Sequence, residues 1–584
     1  MKSLRYLNKY LFRYKWRLIL GVIFIIISNY FGVEMPKIVK NAVNDFLLTV
    51  KAENEFYPIL LLSLKIAGIY IIFSILKGFF LFLTRQMIII VSRYIEFDLK
   101  NEIYLQYQRL GYLFYKKNKT GDLMNRISED VTQVRMYLGP GLMYTINLVV
   151  LSIMAIYAMM RIHVSMTLIV LAPLPIMSYL IYKVSSKMNN LSKKKQEELS
   201  HLTNIVQESF SGIRVIKAYL REKENNQKFF NSADEYKKKS MNLVMVNALF
   251  MPTIVFLIGL SVLLTVYYGG VLSYDNKITP GDIVAFIFYV NMMTWPFASV
   301  GWVTSINQRA AASQSRINEF LNSEPEIKNP TTNPFKDLNE LVFDKVSFTY
   351  ENSGINAIDQ LSFKVKKGQT LGIVGRTGSG KSTILNLICR LLDPVEGTIF
   401  VDNQNLKEIN LDEYRNITGA VPQDVFLFSD TIANNLKFGV DETTVTDDDL
   451  VKVCQSAQVY HNILDFPEQM KTLLGERGVN LSGGQKQRIS IARALLRKPK
   501  LLLLDDCLSA VDTETEEAIL KSLNEIRKDS IHVIVSHRIS SLRNADNIIV
   551  IDKGKKIEEG SHESLINEGG VYYKMYQSQL VEND

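Results

Sequence analysis

The stretch GRTGSGKS, Gly375 to Ser382, matches G-x-x-x-x-G-K-[ST]. A strand-like run, Thr370 to Val374, enters it; a helical stretch, Thr383 to Leu392, leaves it, with Pro394 just beyond. In that context Gly375, Gly378 and Gly380 let backbone N–H groups converge on phosphates at a helix N-terminus. Arg376, Thr377, Ser379 and Thr383 belong to the same nucleotide-binding turn. Lys381 is expected to reach the β- and γ-phosphates of ATP, and Ser382 to ligate Mg2+. In LLLLDDCLSAVD, Leu501 to Asp512, four leucines read as a buried strand ending in Asp505, a second Mg2+ ligand acting through water. A helix-capping role for Asp505 fits less well after four leucines. The next position, Asp506, is where a general base would polarise the attacking water.

A second glycine motif, LSGGQKQR (Leu481 to Arg488), opens the helical ISIARALL. Leu481, Ser482, Gly483, Gly484 and Gln485 thus form another phosphate-binding helix start. Two such cradles cannot serve one γ-phosphate from the same place. The economical reading is that the second acts in trans, on ATP held by another subunit.

The elements around these motifs divide the 584 residues into unlike halves. The mean hydropathy is slightly above zero, but the first 310 or so residues alternate apolar runs with basic loops, and the rest reads as a soluble α/β domain. About six runs can span a bilayer, near 17–37, 57–84, 137–160, 164–184, 244–270 and 281–305. The second-to-third and fourth-to-fifth connections are long and rich in Lys and Arg, as is the N-terminus. The positive-inside rule places these loops, both termini and the soluble half in the cytoplasm. Apolar residues at helical spacing (Ile205, Phe210, Ile213, Ile216) extend the spanning helices beyond the bilayer, with turns near Tyr112–Lys119 and Ser211–Lys217 offering apolar residues to another domain. Of the ions within spans, Glu34 and Lys77 are candidates for a translocation path, and Lys65 sits where snorkelling suffices. The net charge of +8 follows from this topology, with no basic patch interleaved with aromatics, so nucleic acid is not an expected partner. Cys389, Cys454 and Cys507 lack metal-ligand spacing and read as reduced cytoplasmic thiols. The first apolar run lacks a small-residue cleavage site and is not read as a signal peptide.

At these residues the chain resembles the ATP-binding-cassette (ABC) transporters, and more closely the exporters in which six membrane helices are fused to one nucleotide-binding domain. The likeness covers nearly the whole chain. The resemblance implies an all-α polytopic membrane domain (1–320), a linker (321–340) and an α/β P-loop cassette (341–584). It implies that Tyr350 stacks on adenine, and that Gln423 contacts Mg2+ and senses the membrane half. Gly475 to Gly478 fits the loop that meets the intracellular loops, and Ser509 and Asp512 lie in the D-loop. His537 is the switch histidine at the γ-phosphate, so Asp506 and His537 are the catalytic pair. KTGDLMNRISEDV and SFSGIRVIKAY resemble the two intracellular loops; by analogy the second inserts into the partner's cassette. ATP and Mg2+ are the implied cofactors, and the implied localisation is a bacterial-type cytoplasmic membrane.

One position departs from the family pattern. Competent members carry Glu where this chain has Asp506, whose carboxylate sits roughly 1–1.5 Å further from the water. Base assistance is worth about 10²–10⁴-fold, so this site is expected to bind ATP and hydrolyse it slowly. An intact LSGGQ beside a weakened base fits a heterodimer with a second half-transporter carrying Glu. The alternatives are a homodimer using Asp506 as a slow base, or an ATP-gated channel or regulator of the same architecture. The implied substrates are amphipathic drugs or lipids; no N-terminal Cys/His peptidase segment precedes the first span, which weighs against a processing peptide exporter.

Overall fold

A computed structural model describes residues 2–52, 56–330, 335, 337–351 and 353–581. Residues 331–334 and 336 of the expected linker, and the terminal and loop residues 1, 53–55, 352 and 582–584 of the expected domains, lie outside the described residues. By contacts the chain forms two compact units: Met1–Gln108 with Thr120–Ser323, and Arg109–Lys119 with Glu324–Asp584.

Six helical stretches of the first unit are long and apolar enough to cross a membrane: Lys15–Thr49, Tyr57–Arg109, Thr120–Ile162, Val164–Ser211, Glu222–Tyr274 and Pro280–Leu321. Each contains one of the spans expected from sequence. At 1.5 Å per residue a 53-residue helix runs about 80 Å, well over twice a hydrocarbon core. The break between the third and fourth stretches falls on His163, whose extended backbone ends one helix and whose Nδ1 accepts the Met166 N–H at 3.2 Å to start the next. The last stretch is started by a Thr279/Asp282 capping box. Lys40 pairs with Asp282 at 2.6 Å, and Asn44 bonds Gly281 and Thr279, which ties that turn to the first helix. Packing inside the unit centres on Ala155, Met159, Met166, Val170, Met177, Phe286, Tyr289 and Met293. Glu34 pairs with Lys37 at 3.1 Å, Lys65 is exposed, and the Lys77 stem lies against Gly32.

The second unit holds two sheets. One has the order β2-β1-β4-β5, from β1 (Glu340–Tyr350), β2 (Ile355–Lys366), β4 (Glu396–Val401) and β5 (Gln404–Asn405), paired antiparallel. The other has the order β10-β9-β3-β8-β7-β6, from β3 (Thr370–Gly375), β6 (Thr418–Val421), β7 (Leu501–Asp505), β8 (Ile531–Val535), β9 (Asn547–Asp552) and β10 (Lys555–Gly560). It is parallel except for β10. Its central strands β3, β8 and β7 are buried on both faces, which is why LLLLD reads as an unbroken apolar run. Alternation sorts them: Leu501 and Leu503 enter one core with Val533 and Ile373, Leu502 and Leu504 the other with Ile534 and Val374. The stretch before β1 is seated on this unit, with Phe335 and Leu338 buried beside Tyr414 and Lys500 paired to Asp337 at 2.9 Å.

Candidate functional site

Because β3, β8 and β7 are adjacent and parallel, their C-terminal ends deliver three segments to one edge of the sheet. That edge is where ligands bind in open α/β sheets. The loop after β3 carries the first glycine motif into the Lys381–Ile388 helix. Gly380, at φ +105°, caps that helix in a backbone region closed to most L-residues, and a Cβ there would also overlap the Ala357 carbonyl oxygen. Lys381 is buried, and its Nζ donates to the carbonyls of Gly375 at 2.8 Å and Arg376 at 2.9 Å.

A cavity of about 880 Å3 opens at this edge. Of the expected site residues it gathers Tyr350, Thr377, Gly378, Gly380, Lys381, Ser382, Thr383, Gln423, Asp505, Asp506 and His537. Gly375, Arg376 and Ser379 form the loop behind that wall. The Tyr350 hydroxyl and the Thr383 hydroxyl lie 3.2 Å apart. Burial raises the Asp505 carboxyl above the ordinary carboxylate range, opposed by a hydrogen bond with Ser382 and by Lys381. Burial likewise lowers the Lys381 ammonium, opposed by Asp506 and Asp505. Asp506 has φ +46°, a conformation Asp tolerates better than most side chains. Its N–H donates to Val535 at 2.9 Å, and its Oδ1 accepts the His537 N–H at 3.3 Å.

The second motif lies elsewhere on this chain. Leu481, Ser482, Gly483, Gly484 and Gln485 do not line the cavity, and neither do Ser509 and Asp512. Ser482 caps the Gly483–Leu496 helix in a reciprocal box with Gln485, and Ser482 and Gly483 are exposed. A Cβ on Gly484 would press the Ala510 carbonyl, so this helix start and the Ser509–Asp512 turn lie side by side. Asp512 caps the Thr513–Ile526 helix by accepting the Thr515 N–H at 2.9 Å.

Sequence reasoning did not place Leu113, Lys116, Lys117 or Glu326 at the cavity, and all four line it. Leu113 packs on the core beneath β1, and Lys116 Nζ stands 4.0 Å from the Tyr350 ring centroid. The turn near 112–119 is legible as a docking element, but nothing in its spacing names Tyr350 as its target.

The residues present fit a nucleoside triphosphate. The buried Ser379 hydroxyl has no partner among the described residues, and the buried Lys381 cation faces loop carbonyls and carboxylates alone. Ser382, Asp505 and Gln423 offer the hard oxygen donors that suit Mg2+, which takes few protein ligands and completes its shell with phosphates and water. No group of three or more His, Cys, Asp or Glu placed to hold a metal ion occurs among the described residues.

Comparison with known proteins agrees in both units. The family model described as ABC transporter transmembrane region matches residues 18–297, and that described as ABC transporter matches residues 358–509. The chain is 34% identical over 575 residues to the Bacillus subtilis (strain 168) protein named probable multidrug resistance ABC transporter ATP-binding/permease protein YheI, covering 98% of this chain and 96% of that one. This chain is an ABC transporter.

The transporter is also 34% identical to the multidrug resistance-like ATP-binding protein MdlA of Escherichia coli (strain K12), over 98% of this chain and 96% of that one. It is 29% identical to an ATP-dependent lipid A-core flippase of Syntrophus aciditrophicus (strain SB), over 97% and 93%. Its fold is shared, at a TM-score of 0.79 and 23% identity over 96% of this chain and 99% of the other, with a structure described as a bacterial Atm1-family ABC exporter with ATP bound. The transporter therefore joins an exporter-type membrane region to an ATP-binding domain that couples ATP hydrolysis to transport.

Proposed function

We propose that this chain is the slow-hydrolysing half of a heterodimeric exporter that moves amphipathic small molecules or lipids outward across the cytoplasmic membrane. The single observation that carries this reading is Asp506. It stands at the cavity where the attacking water must be polarised, and its short carboxylate is engaged by the His537 backbone N–H. Lys381 and the glycine-rich turn bind the triphosphate, and Tyr350 supports the base. Mg2+, when bound by Ser382, Asp505 and Gln423, neutralises charge on the β- and γ-phosphates. His537 contacts the γ-phosphate. Leu481 to Gln485 serve the ATP held by the partner, which supplies a Glu and does most of the hydrolysis. Closure of the two cassettes on ATP, passed on by the intracellular loops, opens the membrane cavity outward. The substrate class rests on the names of relatives, a multidrug resistance protein and a lipid A-core flippase.

The test is reconstitution of this chain alone, and with a second half-transporter bearing Glu at the corresponding position. ATPase at an ordinary transporter rate from the chain alone would sink the heterodimer reading in favour of a homodimer. Nucleotide-gated ionic current would replace export by a channel.

A further inference from the structure

We propose that the Lys116 ammonium and the base of the bound nucleotide compete for one face of Tyr350. Nucleotide entry then releases the first cytoplasmic loop from its contact with that ring. The inference rests on the cavity being a nucleotide site with Tyr350 under the base.

Lys116 Nζ lies 4.0 Å from the Tyr350 centroid, a cation–π contact. Both residues line the same cavity as the glycine-rich turn, Asp505 and Asp506. A stacked base places its centroid about 4.5 Å or a little more from the tyrosine ring, in the space that Lys116 holds. The ring is hard to move. Its hydroxyl meets Thr383 at 3.2 Å, and Phe348 stands at right angles to it with centroids 5.0 Å apart. Lys116 is the movable member: exposed, on a flexible four-carbon stem. Its neighbours are held. Lys117 pairs with Glu326 at 3.3 Å and Glu351 at 3.5 Å, and Leu113 packs on the core. The Tyr112–Lys117 helix thus keeps its seat while one side chain reports whether the ring is covered. That helix lies between the Phe56–Arg109 and Thr120–Asn125 helices in the chain, so the report is made on a segment joined at both ends to the membrane half.

The test titrates full-length chain in lipid nanodiscs, with EDTA to hold off hydrolysis, using ATP and separately tripolyphosphate. An exposed cation–π contact is worth about two- to fivefold in affinity. Lys116→Gln is expected to bind ATP tighter by that factor without tightening on tripolyphosphate, whereas Lys116→Arg, which keeps the cation, stays near wild type. In a Tyr350→Ala background the Lys116→Gln gain disappears. An unchanged ratio of ATP to tripolyphosphate affinity, or a gain that persists without Tyr350, overturns the competition while leaving the nucleotide site intact. Wild-type chain that binds no ATP overturns the site assignment, and this inference with it.

Discussion

The Asp506 carboxylate accepts the backbone N–H of His537 at 3.3 Å, joining the end of β7 to the segment that leaves β8. The carboxylate is thereby anchored to the protein on one oxygen, at a residue whose main chain is bound on both sides: its N–H to Val535 and its carbonyl to the Ser509 hydroxyl at 2.9 Å. A shorter acid held this firmly has little freedom to make up a missing methylene by moving its backbone.

Asp506→Glu restores that methylene. Hydrolysis at this chain's own site is expected to rise several-fold or more, within the about 10²–10⁴-fold that base assistance can supply. Asp506→Asn keeps an acceptor for His537 but loses the charge, and lowers what hydrolysis remains. Single-turnover phosphate release from the complete transporter reads both. An unchanged rate in the Glu variant would mean that something other than reach limits the site.

Lys381 is buried and bonded to two loop carbonyls. Charge-assisted hydrogen bonds contribute about 1.5–3 kcal/mol, so Lys381→Ala is expected to weaken ATP binding roughly 10- to 100-fold. Calorimetric titration with ATP checks this; an affinity within twofold of wild type removes Lys381 from the phosphate site.

Ser482→Ala separates the two glycine motifs. Loss of the capping box with Gln485 costs about 1 kcal/mol of stability. ATP affinity at this chain's own site stays unchanged, because Ser482 does not line that cavity, while ATPase of the assembled dimer falls. A drop in affinity at this chain's own site would count against action in trans.

His532, buried near the start of β8 against Ser530, is lowered by burial from 6.5 to about 4, with Arg527 adding in the same direction. It is neutral in the folded state while the unfolded chain takes up a proton below about pH 6.5. Its contribution is therefore complete above pH 6.5 and is lost as pH falls toward 4, a difference worth about 3 kcal/mol. Thermal unfolding of the chain across pH 4–7 is expected to show this slope, and His532→Asn to flatten it. An equal slope in the variant would assign the acid sensitivity to other groups.

Much of this site was legible because its parts are local. Lys381 and Ser382 sit in one octapeptide, and four leucines before Asp505 leave a buried strand as the natural reading. The six spans were legible because a bilayer demands about 20 apolar residues at a stretch. Lys116 was not legible at the cavity. It lies 234 positions before Tyr350, and no local periodicity encodes a pairing that only the folded chain brings together. Phe335 and Leu338 were hidden for a different reason: a polar, proline-containing stretch carries two isolated anchors with no repeat to mark them. Asp506 could be singled out from sequence, but its bond to His537 depends on β7 and β8 lying side by side, which strand order alone decides.

Because Arg109–Lys119 belongs to the same compact unit as Glu324–Asp584, the cassette is discontinuous in the gene although it is continuous in space. A soluble fragment beginning near Glu324 would fold without one of its own pieces. It would bare the apolar seat of Leu113, leave Glu326 and Glu351 without Lys117, and present Tyr350 with an uncovered ring. Nucleotide affinities taken from such a fragment would describe a shorter protein than the one the cell makes, and supplying residues 109–119 in trans as a peptide is the direct way to give the fragment back its missing wall.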